Sequence, residues 1–445
     1  MLKEIAEAIA SKGGRAYYVG GYVRDQLLGI ENKDIDVEVL GISAEELIDV
    51  LSEFGKVELF GKSFEVFKVG KIDADFCLPR CSYGDHALDQ CNPNISTEQA
   101  CKRRDFTINA MMQDILSEEI IDCYGGKADL SLGMIRHVDD ESFVEDPLRV
   151  YRAFQFAARF SFRIADETCK LMKNIDLSGI PRERIYEEFR KLLLEPKNPS
   201  IGFRYMQQMG ILDTMHPLLA QMVGCLQEPR HHPEGDVWNH TLLVLDQAAG
   251  LKKHASNQET FMWAALLHDI GKPCVTNINE HGYSAYGHDH KGEELAREFL
   301  QGLTGNKELQ KETAVLVREH MKPLLFYKDQ KHISNGALRR LARRVNIHDI
   351  LLLAEADHKG RDGEYGIERF EAIRDWFTEK IASLKLDEIV EPCIQGRDLI
   401  NMGYKTGPHF GEVLRYALEL QLDGLPTEEI YLKVKSYMLE RGFDN

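Results

Sequence analysis

In RAYYVGGYVRDQLLGIENKDIDVEVLG, residues 15–41, an apolar run ends in two glycines, an arginine follows, and two aspartates stand one residue apart. No other stretch of the chain constrains its folding as much. AYYV reads as a strand. Gly20 and Gly21 at its end let backbone N–H groups approach an anion closely. Arg24 comes one turn later with a fork of donors for phosphate oxygens. Asp34 and Asp36 share a face if they lie on one strand, and two carboxylates side by side are costly unless a cation neutralises them. Oxygen ligands of this kind suit Mg²⁺ held jointly with substrate phosphates.

DADF repeats the spacing with Asp73 and Asp75. A third carboxylate from a neighbouring strand completes a two-metal site for in-line phosphoryl or nucleotidyl transfer. The segment therefore predicts a nucleoside triphosphate, its phosphate tail on Gly20, Gly21 and Arg24 and its cation on the aspartates.

The chain has 445 residues, too many for one core, so two to four units are expected. Up to about residue 137, short β-rich runs alternate with helical ones, which predicts a small mixed sheet with helices. LRVYRAFQFAARF and RIYEEFRKLLL then place apolar residues three and four apart, as helices do. LQEPRHHPEGDVWNH breaks the pattern, and a histidine-rich helical block follows as far as His358. From about residue 366 the texture is again helical, with a glycine-rich interruption at QGRDLINMGYKTGPHFG. Residues 80–101 are polar and turn-rich, a length of loop that in compact domains tends to be functional or mobile.

The histidine block holds His240, His268, Asp269, His288, His320 and Asp357. One histidine on a helix is ordinarily a core or surface residue, but six such groups in one helical block suit a divalent-metal site. His268 and Asp269 stand at a helix end that Gly271 can cap. His290 competes with His288 for a place in this set. HHP at 231–233 reads as loop near this site.

With these residues in order, the chain resembles the class II tRNA nucleotidyltransferase and poly(A) polymerase family. GGYVRD followed by D-x-D is the first signature. KRRDFTINAM is the second, with Arg103, Arg104, Asp105 and Asn109 at the family's nucleotide sugar and phosphate positions. EDPLRVYR is the third, in which the resemblance makes Asp146 and Arg149 a protein template for the base edge of CTP or ATP and Arg152 its support. Spaced by three, these positions share a helical face. DFCLPR aligns by its terminal arginine, which makes Asp75 rather than Asp73 the match for the family's third carboxylate and leaves Asp73 a solvated or capping residue. Asp34, Asp36 and Asp75 are thereby the expected catalytic set, with Mg²⁺ on Asp34 and Asp36. The order H…HD…H…H…D resembles the HD phosphohydrolase superfamily. That resemblance implies a core metal set of His240, His268, Asp269 and Asp357, with His288 and His320 for a second metal.

The fold these resemblances imply is α+β: a nucleotidyltransferase-type palm over 1–138, then an all-α neck and template domain over 139–225, an HD domain over 226–365 and a helical tail over 366–445. The implied activity is addition of CMP and AMP from CTP and ATP to the tRNA 3′ end. The HD domain would hydrolyse 2′,3′-cyclic phosphates, 2′-nucleotides or terminal phosphates. Poly(A) synthesis, CC-only or A-only addition, and alarmone-type nucleotide signalling are the alternatives.

A net charge of −17 disfavours a chain coated in nucleic acid, so tRNA contact is expected from a local stripe through Arg182, Arg184, Arg190 and Arg204. Arg339, Arg340, Arg343 and Arg344 read equally as a solvated helix face or as an RNA contact. No apolar run approaches the roughly 18 residues of a membrane span. Glu4 and Glu7 inside the first apolar pattern argue for an amphipathic helix rather than a signal peptide. The nine cysteines include no CxxC; Cys81, Cys91 and Cys101 read as reduced thiols of a cytoplasmic chain. No obligate protein partner is indicated.

Overall fold

The computed structural model describes residues 1–60, 66–70, 72–79, 94–280, 282–361 and 368–443. Most of the 80–101 loop, the expected arginine end of DFCLPR and the junction at 365–366 lie outside the described residues. Two compact units emerge, one of residues 1–192 with 201–211 and one of residues 193–200 with 212–445.

The first unit is built on seven strands: β1 (Arg15–Val19), β2 (Asp36–Leu40), β3 (Val57–Phe60), β4 (Val66–Val69), β5 (Asp75–Cys77), β6 (Met112–Asp114) and β7 (Ile120–Ile121). Their order across the sheet is β3-β4-β5-β2-β1-β6-β7. β2 and β5 are parallel and the other neighbours antiparallel. Strand alternation divides the side chains between two faces. Val37, Val39, Phe67, Val69 and Phe76 face a core closed by Ile5 and Ile9 of the amphipathic helix Leu2–Ser11 and by Leu47, Val50 and Leu51 of the helix Ala44–Ser52. The latter helix starts cleanly because Ser43 and Glu46 form a capping box. The opposite face carries Asp36, Glu38 and Asp75.

Helices then take over, among them Arg149–Phe160 and Arg182–Leu194. A short parallel pairing of Met134–Ile135 with Arg163–Ile164 interrupts them. In the second unit the helix Gln258–Leu267 is buried from Thr260 to Leu267, as a helix apolar all round must be. Around it pack helices Val237–Leu251, Lys307–Glu319 and Ile347–Lys359, and His288–Leu303 lies against Lys307–Glu319. A hairpin, Asn277–Asn279 with Gly282–Ser284, and an isolated bridge between Leu226 and Asp236 are the β-structure of this unit among the described residues. The last helices, Gly396–Asn401, His409–Leu422 and Thr427–Glu440, close their own small core over Leu399, Val413, Ile430 and Val434.

The arginines of 339–344 serve this packing. Arg340 pairs with Glu419 at 2.6 Å and Asp423 at 2.7 Å, Arg339 donates to the Leu422 carbonyl, and Arg344 pairs with Glu319. Arg343 is exposed. Of the expected RNA stripe, Arg182 lies against Glu183, Arg190 against Glu187 and Arg184 against Asp146.

Candidate functional sites

In the first unit, parallel pairing puts Asp36 opposite Asp75 in register. The two carboxylates therefore stand side by side on the face away from the Val37–Phe76 core. Asp34 lies outside this strand. β2 begins at Asp36, and the Asp34 N–H donates to Asn32 Oδ1 at 2.9 Å, so Asp34 belongs to the turn that delivers the strand. Asp73 precedes β5 and is exposed, as a solvated residue is. Lys68 on β4 meets Asp75 at 2.8 Å. Residue 36 is accessible as a whole, yet neighbours crowd its carboxyl. That desolvation pushes its pKa up against the pull of Arg104, and Asp75 and Asp34 add to the rise. Crowded carboxylates with oxygen donors only are what a hard divalent cation relieves.

Arg104 donates to Glu38 at 2.6 Å, two residues along β2 from Asp36 and on the same face. Gly20 has φ 65°, and a Cβ there would stand 2.9 Å from the Arg104 guanidinium. The glycine thus makes room for an arginine beside the carboxylates. Arg24 does not reach this surface. It is 3% exposed, donates to Asp25 at 2.7 Å and to Asn109 at 2.5 Å, and lies under Phe160 at 4.7 Å. A direct grip on phosphate by Arg24 is therefore corrected to a structural role, because Asp25 and Asn109 supply its countercharge and acceptors inside the fold.

Asp105 and Asn109 also point inward. Asp105 accepts from the Phe106 N–H, from Asn109 at 2.9 Å and from Arg152 at 2.7 Å. A buried chain of bonds thus links Arg152, Asp105, Asn109, Arg24 and Asp25, joining the second and third sequence signatures to the first. Burial alone would push the Asp105 carboxyl up. Attraction to Arg152, with the bonds from Asn109 and Arg152, outweighs it and holds the group below 3.8. A depressed folded pKa stabilises above the unfolded value and is lost as pH falls through the folded one. Asp105→Asn is expected to cost about 2 kcal/mol at pH 7, the scale of charged hydrogen bonds. The gap from the parent in urea unfolding should shrink as the pH falls below 3.8.

Asp146 and Arg149 are both 7% exposed. The helix begins at Arg149, so Asp146 caps its approach through the Leu148 N–H instead of sharing its face. Arg184 donates to the other Asp146 oxygen at 2.9 Å. Arg149 donates to the carbonyls of Ser142 at 2.5 Å and Arg103 at 2.6 Å. Its guanidinium has five donors and each carboxylate oxygen two lone pairs, so both side chains keep capacity for a base edge. Arg184 and Glu38 are the partners that spacing did not reveal.

The second unit gathers the expected six side chains. His240 Nε2 lies 3.0 Å from Asp357. His268 Nε2 is 3.2 Å from Asp269, and Asp269 Oδ1 faces His288 at 3.5 Å and His320 at 3.8 Å. His288 and His320 approach within 3.4 Å. His290 is exposed. Three rings are aimed by backbone carbonyls: His268 and His320 hold Nδ1 against Ala265 and Val317 of the preceding helical turn, and His288 against Ala285 ahead of its helix, leaving Nε2 inward. Gly271 is not the expected left-handed cap. A Cβ there would overlap the His288 carbonyl oxygen and crowd Gly292, so these glycines let the His288 helix end close on Asp269.

His268 Nε2 and Asp269 Oδ1 are buried without a hydrogen-bond partner, and His240, His268 and Asp269 offer ligand atoms within 4.8 Å of one another, as do Asp269, His288 and His320. Such orphaned atoms fit a bound cation. Burial, with His288 beside it, pushes His320 down to about 4, which keeps it a neutral ligand. Asp269, despite its burial, is held well below its ordinary value by Lys272, 2.6 Å away, and by His268. Lys272, Arg361 (3.5 Å from Asp357), His232 and Glu234 complete the surroundings and were not picked out as site residues from the sequence.

Comparison with known proteins places three family models on the chain: the poly A polymerase head domain at residues 16–136, the probable RNA and SrmB-binding site of polymerase A at 161–222, and the HD domain at 237–362. A multifunctional CCA protein of Actinobacillus pleuropneumoniae is 36% identical over 394 residues, covering 84% of this chain and 93% of its own. One from Vibrio vulnificus is 36% identical over 368 residues, covering 78% and 86%. Among solved structures, a CCA-adding enzyme in complex with ATP shares the fold at TM-score 0.62 and 24% identity, over 98% of this chain and 92% of that one. The Thermotoga maritima CCA-adding enzyme complexed with tRNA does so at TM-score 0.59 and 24% identity, over 98% and 94%.

Proposed function

The chain belongs to the family of multifunctional CCA proteins, and on that premise we propose that it adds CMP, CMP and AMP in turn from CTP and ATP to the 3′ end of tRNA, releasing pyrophosphate, and hydrolyses phosphate esters in its HD domain. The observation that carries the first activity is the in-register pair Asp36 and Asp75 beside Arg104. A divalent cation held by Asp34, Asp36 and Asp75, Mg²⁺ by its all-oxygen donors, would neutralise the triphosphate and make the tRNA 3′-hydroxyl a better nucleophile. Arg104, fixed by Glu38, supplies positive charge for the phosphate tail, and Gly20 and Gly21 bring backbone N–H groups to it. Arg103, whose carbonyl holds Arg149, and Arg152, bonded to Asp105, would add positive charge beside the nucleotide. Asp146 and Arg149 present acceptors and donors to the base edge, which lets side chains choose the nucleotide.

In the HD site, divalent cations held by His240, His268, Asp269 and Asp357, and by His288 and His320 with Asp269, would supply Lewis acidity for phosphate-ester hydrolysis. Lys272, close to Asp269, adds positive charge near an incoming phosphate. Its substrates on this reading are 2′,3′-cyclic phosphates, 2′-nucleotides or terminal phosphates, so one chain could clear a blocked RNA end and rebuild it. We divide the chain into a head at 1–138, a template and neck region at 139–225, an HD domain at 226–365 and a tail at 366–445; the three matched family models fall within the first three. No described helix is long and apolar enough to cross a membrane. Its tRNA and nucleotide substrates assign it to the cytoplasm.

The test is incubation with labelled CTP or ATP and three acceptors: tRNA lacking CCA, tRNA ending in CC, and an unstructured oligomer. Addition that stops after C, C and A on the first and after A on the second is expected. Long A tails on the oligomer would move the chain to poly(A) synthesis, the activity named by its head-domain model. CC alone, or A alone on the second acceptor, would mark a specialist. Arg149→Ala should reduce discrimination against UTP and GTP by about 10–100-fold, the scale of a lost bidentate base contact, as read by misincorporation on tRNA lacking CCA. Unchanged fidelity would remove Arg149 from base reading.

A further inference from the structure

The loop ahead of helix Val237–Leu251 has no part in the reading above, yet it places two ionisable side chains against the HD site. The side chain of Glu234 is 2% exposed and that of His232 12%. Glu234 Oε1 lies 2.7 Å from His240 Nδ1, an ion-pair contact not aligned as a hydrogen bond, and 2.8 Å from His232 Nδ1, to which it is hydrogen-bonded. The far nitrogen of the His240 ring, Nε2, is the one near Asp357 and Asp269. His240 therefore differs from the other three histidines. They set Nδ1 against a neutral backbone carbonyl, whereas His240 sets it against a buried carboxylate.

We propose that Glu234 is a positioning residue for the HD metal centre. It fixes the His240 tautomer that leaves Nε2 for the cation and makes that imidazole a stronger donor. His232 holds the same Glu234 oxygen in place. A carboxylate behind a metal-bound imidazole orients the ring and raises its basicity. The spacing argues against His232, Glu234 and His240 Nδ1 forming a cation site of their own. Ligand atoms about 2.1 Å from a tetrahedral ion stand roughly 3.3 Å apart, whereas these contacts have hydrogen-bond length. The proposal rests on the HD reading above for the location of the metal.

The experiment measures metal affinity instead of turnover. The full chain, stripped by chelator, is titrated calorimetrically with Mn²⁺ and its Co²⁺ absorption spectrum recorded, in an Asp36→Ala background so that the head site is silenced. Glu234→Ala should weaken HD-site binding by about 10–100-fold, the usual cost of losing such a partner. Glu234→Gln, which keeps an acceptor without the charge, should fall between that variant and the parent. Both should keep the parent's thermal transition, and in the Asp36 wild-type background they should add nucleotides normally. Affinity within about twofold of the parent for both variants, against that expected loss, would overturn the proposal alone. Metal binding by the parent without phosphate-ester hydrolysis would overturn the HD reading and leave the affinity comparison to judge Glu234. A parent that takes up no metal would overturn both.

Discussion

Asp36→Ala will abolish nucleotide addition to tRNA lacking CCA, by at least about a thousandfold, which is roughly 4 kcal/mol of transition-state stabilisation. The reasoning starts from the sheet. Parallel pairing of β2 and β5 sets Asp36 beside Asp75, and no spacing of residues within either strand could do this. The carboxylate lost is the one with Asp34 ahead of it, Asp75 beside it and Arg104 nearby. Crowding pushes its pKa up, so it is under electrostatic stress in the empty fold. Removing it should therefore leave the thermal transition unchanged or slightly raised while activity disappears. That combination separates a catalytic carboxylate from a structural one. Phosphate-ester hydrolysis should continue at the parent rate, because every residue of the HD site lies in the other unit. Retention of a tenth or more of the addition activity would take Asp36 out of the chemistry.

Much of this arrangement was legible in the sequence, and the gaps have physical causes. Two glycines after an apolar run and two aspartates one residue apart locate a turn and a strand face, since those signals are local. Spacing does not say where a strand begins. Asn32 captures the Asp34 N–H and keeps Asp34 in the turn. It also does not say whether an arginine faces solvent. The partner that buries Arg24 is Asn109, 85 positions away, and the acceptors of Arg340 are Glu419 and Asp423 in the tail. A run such as ALRRLARRVN looks basic only until its helix finds acidic neighbours. The six side chains gathered in the second unit were readable because imidazoles and carboxylates recur along one helical block. Glu234 was not, because a carboxylate behind a histidine looks in sequence like any loop glutamate. What the chain states plainly is the chemistry of its donor groups; which of them the fold turns inward is decided by distant pairings.

Asp269→Asn will eliminate phosphate-ester hydrolysis, again by at least about a thousandfold, and will leave nucleotide addition within about threefold of the parent, the range expected of an uncoupled site in a separate unit. Asp269 is central to the HD geometry. One oxygen takes Lys272 at 2.6 Å, and the other, without a hydrogen-bond partner, faces His288 and His320. It is the one residue shared by both of the ligand groups that include His268 or His288. Neutralising it removes the carboxylate that these two ligand groups share and leaves the Lys272 charge facing their imidazoles, so cation retention should fall with activity. Part of any loss could come from the stranded lysine loosening the helix junction. His268→Gln addresses that: it removes a ligand whose Nε2 is unpartnered and keeps the Asp269–Lys272 pair. Loss of hydrolysis and of bound metal in both variants, with addition intact, would tie the activity to the centre itself. Hydrolysis surviving in His268→Gln at the parent rate would mean that the ester is cleaved elsewhere in the chain.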